Sequence, residues 1–195
     1  MAGISVTPQP STLDPMRRRS DLWNALGVIA VSEPGLTNQG GVNPTSQTIV
    51  AGAIYLYAGQ AITNIIVGVQ TAGTSTAPTG IYLGLWDSAS TPNCLAATAN
   101  LAADARWTSQ GWKVNALSAA YTPTTSGIYY AAFLQNGAFA GTNLGVASSQ
   151  GSGGTSATLV SARPWTALGT GKTTMAALDT GTYSVAGSIP CFAVS

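Results

Sequence analysis

Short apolar runs separated by turn residues dominate the chain after Gln47. Gly, Ser, Pro and Asn cluster between these runs at residues 73–79, 88–93 and 148–154. The predicted strands lie near residues 48–57, 61–71, 80–87, 94–99, 112–117, 127–135, 143–148, 157–162 and 181–186. Many short strands at this spacing, with no second helical pattern, are typical of antiparallel sandwiches. We therefore predict an all-β, antiparallel, jelly-roll-like β-sandwich over residues 47–195.

The first 46 residues differ from this region in charge and in pattern. Six of the thirteen charged residues of the chain lie in the first 33 positions. Asp14 can cap a helix, Pro15 suits its first turn, and apolar residues at helical spacing follow as far as Val31. We predict a helix over residues 12–31 and an anchoring arm, part helical and part extended, over residues 1–46.

Three consecutive arginines form the only charge run of the chain. They could contact phosphate, but a run of this kind is more often a solvated face or a protein docking patch. Flanking aspartates also partly neutralise it, so docking to a partner protein is favoured. The predicted docking residues of the arm are Arg17, Arg18, Arg19, Leu22, Trp23 and Leu26.

Composition excludes several classes of function. The chain has no histidine, which removes the usual general base and the commonest metal ligand. Only 7% of the residues are charged and the net charge is +1, so no field attracts nucleic acid or calcium. We expect no metal, cofactor, nucleic-acid partner or membrane span. Residues 1–10 also lack the apolar stretch of a secretory signal peptide.

No motif indicates catalysis. Residues 169–173 end in Gly-Lys-Thr, as a phosphate loop does, but Thr166 stands where the first glycine is required. Asp87 follows a predicted strand at a turn, and Asp104 lies beside Arg106, so both have ordinary structural roles. We predict a non-enzymatic protein without catalytic residues.

The alternation of the predicted strands places aromatic residues on an outer face. If Ile81, Leu83 and Leu85 face the core, Tyr82 and Trp86 face the opposite way. The outer residues of this sheet are then Tyr55, Tyr57, Tyr82 and Trp86. A monomer seldom leaves such an apolar face in water. We expect a second subunit, or the arm, to cover it.

Two indoles flank a polar turn at Trp107 and Trp112. Together with Asp87 and Gln110 they suggest a glycan site, because sheet proteins bind sugar rings by stacking and hydrogen bonds. Packing of both indoles in the core or between subunits is the favoured alternative, since large aromatic residues are mostly buried. The two cysteines of the chain have no motif spacing; free buried thiols are favoured over a disulfide, which stays open.

Three segments together resemble a known family. They are IYLYAGQAITN (residues 54–64), GIYLGLWD (residues 80–87), and YTP (residues 121–123) with GIYYAAF (residues 127–133). The set is similar to β-sandwich virion surface proteins, of the minor-tail and decoration type, from tailed phages infecting actinobacteria. The resemblance covers about residues 48–150 and brings no catalytic residues.

The resemblance implies a virion location. A subunit of this family attaches by one end and displays its sandwich outward, frequently as a homotrimer. Its partners would be other virion proteins, contacted through residues 1–46, and a host cell-surface glycan. A minor tail or tail-tip component is the first expectation; a capsid decoration protein and a carbohydrate-binding module are the alternatives.

Overall fold

Two antiparallel sheets pack face to face in the computed structural model, which describes residues 27–32, 40–89, 92–150, 171–175 and 188–195. The strands are β1 (Ala30–Val31), β2 (Gly40–Val42), β3 (Ile49–Leu56), β4 (Ile62–Thr71), β5 (Gly80–Trp86), β6 (Cys94–Ala97), β7 (Gly111–Tyr121), β8 (Gly127–Asn136), β9 (Gly145–Gln150), β10 (Ser188–Pro190) and β11 (Phe192–Val194). A single turn of 3-10 helix covers Ala105–Thr108. The predicted all-β sandwich is confirmed.

The small sheet has four strands in the order β3-β8-β5-β6. The large sheet has seven strands, with β4 at its centre. Strand β7 pairs with one side of β4, and β9 and β11 pair with the other side. Strands β2 and β10 pair with β9, and β1 pairs with β11. Strand β11, at the end of the chain, therefore lies between β1 and β4. The large sheet thus depends on pairs of strands that are distant in sequence.

The core lies between the two sheets and follows the predicted alternation. Ile81, Leu83 and Leu85 of β5 face it and are fully buried. From the large sheet, β4 contributes alternate residues such as Val67, also fully buried. Phe133 of β8 completes this layer. The period of two in the sequence thus identified the inner face of both central strands correctly.

Seven of the predicted strands correspond to β3 through β9. The predicted strands at 157–162 and 181–186 lie outside the described residues. Strands β1, β2, β10 and β11 were not predicted, because two or three residues are too few to show an alternation. They form only through pairing with longer strands.

The predicted helix over residues 12–31 is wrong at its C-terminal end. Ala30 and Val31 form β1, where Ala30 pairs with Val194. The Ile29 amide also donates to the Val194 carbonyl at 2.7 Å. A short apolar segment is compatible with both the helical and the strand periodicity. Here it forms a strand because it can hydrogen-bond to the edge of β11.

The boundary drawn at residue 46 is also corrected for the residues that the structure describes. Residues 29–32 and β2 hydrogen-bond to the large sheet, so this part of the predicted arm belongs to the sandwich. The predicted docking residues Arg17, Arg18, Arg19, Leu22, Trp23 and Leu26 lie outside the described residues, and their role stays a prediction.

Candidate functional site

Trp86 lies on the outer face of the small sheet, the face directed away from the core, as predicted. It is nevertheless 0% exposed. Its indole lies against Gly84, where a Cβ would be only 2.7 Å from Trp86 Cζ3. A second subunit or the arm was expected to cover Trp86; within the single chain this residue is already buried, by a cluster that includes Met175.

A second apolar cluster covers this outer face. Its buried members are Ile49, Ala51, Trp86, Tyr130, Ala132, Leu134 and Met175. Met175 belongs to the segment 171–175, which the Lys172 amide anchors by donating to the Gln47 carbonyl at 3.0 Å. Tyr82 is half-buried and lines a groove next to Met175. The cover thus includes a distant part of the same chain.

Tyr55 of β3 and Tyr57, which directly follows this strand, remain exposed at the edge of the small sheet. They are 50% and 61% exposed, and their rings meet edge to face with centroids 5.2 Å apart. Strand β3 pairs with one neighbour, β8, among the described strands. Of the four residues predicted to form a subunit interface, these two tyrosines are the ones exposed in the single chain, and their role in an interface stays a prediction.

Trp107 lies in the core and is 1% exposed. Its Nε1 donates to the Leu101 carbonyl at 2.8 Å, and its ring packs edge to face on Phe133 at 5.9 Å. A fully packed indole with its N–H satisfied offers no surface to a sugar ring. Of the two interpretations of this residue, the structure supports core packing.

Asp87 organises the turn that follows β5. Its carboxylate accepts hydrogen bonds from the amides of Ala89 (3.2 Å) and Asn93 (2.9 Å), and from Asn93 Nδ2 (2.9 Å). It lies beside residues 125–129, whereas Gln110 lies at the opposite end of the sandwich, where β7 begins. The structure therefore does not bring Asp87 together with the other predicted glycan-binding residues.

Trp112 and Gln110 do meet, in a cleft of about 560 Å³ on the outer face of the large sheet. Its lining residues are Gly68, Val69, Gln70, Gln110, Gly111, Trp112, Ala147 and Cys191. Trp112 is 49% exposed and Gln110 is exposed. We call this site the Trp112 cleft. Its size is within the range of small-molecule sites, about 300–1,000 Å³.

Backbone geometry places Trp112 in the cleft. Gly111 has a φ of +113°, a conformation that favours glycine, and it turns the chain into β7 directly before Trp112. Trp112 then pairs with Gly68 of β4. A Cβ at position 68 would lie 3.3 Å from Trp112 Cζ3, so the absent side chain lets the indole lie on the sheet.

Gln70 supplies an unusual polar group to the same cleft. Its Oε1 is shielded from solvent and has no hydrogen-bond partner within the described part of the chain. A buried acceptor without a partner costs about 1–3 kcal/mol. Gln70 was not predicted as a site residue, because an amide that points outward from a strand has the sequence pattern of an ordinary solvated residue. Glycine at position 68, inside a strand, was the available signal of a close approach.

Neither cysteine forms a disulfide. Cys94 lies on β6 of the small sheet, whereas Cys191 lies at the Trp112 cleft, between β10 and β11 of the large sheet. Burial raises the pKa of the Cys94 thiol to about 11, although hydrogen bonding with the backbone of Ala96 lowers it in part. Cys94 is therefore protonated and unreactive at neutral pH.

The described ranges contain no group of three or more acidic, cysteine or histidine residues that could hold a metal ion. Within the same ranges, no helix has the length and apolarity needed to cross a membrane.

Comparison with known proteins gives no relative: no family model matches the chain, and no curated protein matches it.

Proposed function

We propose that this chain is a non-enzymatic structural protein of a phage virion, a minor tail or tail-tip component that displays its β-sandwich at the particle surface. The observation that carries the proposal is the exposed Tyr55–Tyr57 pair on a sandwich with very few charges. Apolar aromatic side chains on such a surface are typical of assembly contacts. The resemblance of three sequence segments to phage virion surface proteins suggests that this assembly is a virion.

The absence of enzymatic activity is part of the proposal. Asp87 is committed to its turn by three hydrogen bonds, and Asp104 is paired with Arg106 and caps the 3-10 helix. Both carboxylates are thus engaged in structural contacts, whereas a glycosidase needs two carboxyl groups available on either side of the sugar. The alternative is a capsid decoration protein, which would have the same architecture but would lie on the head of the particle and not on the tail.

Attachment is assigned to the segment that precedes the sandwich. Because residues 29–32 and β2 are part of the large sheet, a useful truncation removes residues 2–26 and not the whole of residues 1–46. The truncated chain should keep its β circular-dichroism spectrum but fail to incorporate into particles in a complementation assay. Normal incorporation would contradict attachment through this segment.

A matched variant separates charge from apolar contact in this segment. Arg17→Ser, Arg18→Ser and Arg19→Ser, combined in one chain, remove the charge run and leave Leu22, Trp23 and Leu26 in place. Loss of incorporation in the triple variant assigns docking to the arginines. Retention assigns it to the apolar residues.

Self-association is assigned to the tyrosine pair, with a homotrimer as the expected state. Light scattering of the purified chain should give an oligomer, and the double variant Tyr55→Ser, Tyr57→Ser should be monomeric. Val114→Ser is the control, because Val114 is 50% exposed on the other sheet. A stable wild-type monomer at working concentration would count against this contact.

Glycan binding is the second candidate function. The half-exposed indole of Trp112, beside a carboxamide oxygen without a partner, favours it specifically. It is compatible with the first proposal, since a virion surface protein can also bind the host surface.

A further inference from the structure

We infer that the Trp112 cleft binds a neutral saccharide and that Trp112 and Gln70 are its main contacts. This inference deepens the glycan-binding candidate by naming the site and the ligand class. It does not depend on virion assembly, because the cleft lies on the large sheet and the tyrosine pair lies on the small sheet.

The first argument is the aromatic surface. Trp112 is the one tryptophan with substantial exposure among those that the structure describes, since Trp86 and Trp107 are buried. Its backbone is held by the pairing with Gly68, and its ring lies over that glycine, which gives the indole a supporting surface before a ligand arrives. A supported, half-exposed indole suits stacking against the C–H face of a pyranose ring.

The second argument is the unsatisfied acceptor. Gln70 lies on the outer face of β4, two residues beyond Gly68 and therefore on the same side of the sheet. Its Oε1 lacks a donor within the described residues. Because this oxygen is shielded from solvent, the Gln70 amide must rotate toward the cleft before a ligand hydroxyl can supply that donor. The exposed side chain of Gln110 can bond a second hydroxyl.

The third argument is charge. The described lining of the cleft contains no ionisable group other than the Cys191 thiol. Lys113 belongs to the same strand, but its side chain is buried on the opposite side, where Nζ donates to Ser109 Oγ at 2.9 Å. An anionic sugar would find no partner in this cleft and would have to lose hydration. The ligand class is therefore a neutral saccharide.

The test is titration of the full-length protein with soluble neutral tetrasaccharides, namely chitotetraose, cellotetraose and maltotetraose, followed by calorimetry and by tryptophan fluorescence. Trigalacturonate is the anionic comparison. At least one neutral tetrasaccharide should bind saturably at millimolar concentration and change the indole emission, and trigalacturonate should not bind. If none of the neutral tetrasaccharides binds, or if only the anionic sugar does, the inference is overturned.

Variants locate the binding. Trp112→Ala should weaken the affinity by about tenfold or more, and Trp112→Phe should retain part of it, since the aromatic ring remains. Gln70→Ala should weaken it several-fold, because a ligand hydroxyl loses its acceptor. Val114→Ala is the matched control on the same face of β7, outside the cleft, and should bind as the wild type does. Unchanged binding by Trp112→Ala would overturn the assignment to this cleft.

The two proposals fail separately. Loss of sugar binding in Trp112→Ala with normal particle assembly supports the cleft and leaves the assembly proposal intact. A wild-type protein that assembles but binds none of the neutral sugars overturns the cleft alone.

Discussion

Trp86 and Trp112 lie on the two outer faces of the sandwich, yet their environments are opposite. Each indole points away from the core and lies against a glycine, Gly84 for Trp86 and Gly68 for Trp112. Trp86 is 0% exposed in a cluster that contains Met175, whereas Trp112 is 49% exposed beside an open cleft. Two features of the fold account for the difference: β5 has a neighbour on each side and a distant segment packs on it, whereas β7 pairs only with β4 among the described strands.

Aromatic residues on the outer faces therefore have two different roles: some stabilise the fold, and others are available to bind a ligand. An indole on the outer face of a sheet stabilises the fold when another layer packs on it, and it can serve recognition when no layer does. The two roles predict different effects of the same substitution.

The largest effect is expected for Trp86→Ala. Removing a fully buried indole should lower the free energy of unfolding by about 3–5 kcal/mol, because contacts are lost and a cavity remains. Trp112→Ala should lower it by about 1 kcal/mol or less, since half of that side chain is already in water. Denaturant unfolding of both variants measures the contrast, and similar losses would show that the two faces do not differ as the structure indicates.

Trp86→Phe refines this test. Trp86 Nε1 is buried without a hydrogen-bond partner among the described residues. Phenylalanine keeps most of the apolar contact and removes that unsatisfied donor. The variant should therefore be clearly more stable than Trp86→Ala in the same unfolding experiment.

The next effect is expected for Met175→Ala, which thins the layer over Trp86. Met175 is buried in the same cluster, so truncation should cost about 2–5 kcal/mol. Trp86 should also become accessible to a soluble fluorescence quencher. Thr174→Ala is the control, because Thr174 is the exposed neighbour in the same segment. Unchanged stability in Met175→Ala would mean that this segment does not cover the small sheet.

A smaller loss of stability is expected for Gly68→Ala, which disturbs the outer face of the large sheet at the Trp112 cleft. The added Cβ would lie 2.7 Å from Ala147 Cβ and 3.3 Å from the Trp112 ring. Overpacking of this kind costs about 1–3 kcal/mol. Ala147→Gly removes the closer contact, so the double variant should recover part of the loss. If the two losses simply add, the close approach at Gly68 is not the cause.

The sequence predicted the sandwich well because its core depends on local alternation. Long strands such as β4 and β5 carry enough period-two signal to identify their inner residues. Short strands such as β1 carry none, and they exist because a distant strand offers an open edge. The helix predicted to end at Val31 is wrong for the same reason.

The candidate site could be predicted only in part. Trp112 and Gln110 were identified from their types and spacing, but Trp107, five residues before Trp112, belongs to the core. Gln70 joins the cleft only through the pairing of β4 with β7, which a single sequence does not reveal. Exposure of an indole likewise depends on which other segment packs over it.

The smallest effect is expected at the edge of β7, the strand that carries Trp112. Arg106 Nη1 donates to the Val114 carbonyl at 2.9 Å, and Arg106 Nε donates to Asp104 Oδ2 at 2.7 Å. This ion pair covers part of the β7 edge, which has no second strand among the described residues. The hydrogen bond from Arg106 holds the pKa of Asp104 below its ordinary value, against a smaller opposing effect of desolvation.

A lowered pKa in the folded protein means that the pair stabilises the fold above the ordinary pKa of aspartate. This contribution is lost as the pH falls below about 4 and Asp104 takes up a proton. Both side chains are partly exposed, so Asp104→Asn should cost about 1 kcal/mol or less at neutral pH. The difference in stability between wild type and variant should shrink towards low pH and also in high salt, as unfolding midpoints can show. A difference that stays constant with pH would mean that the Asp104 charge does not hold this edge. The capping hydrogen bond, which the Arg106 amide donates to Asp104 Oδ1 at 2.9 Å, can also form with the asparagine oxygen, so the variant isolates the charge.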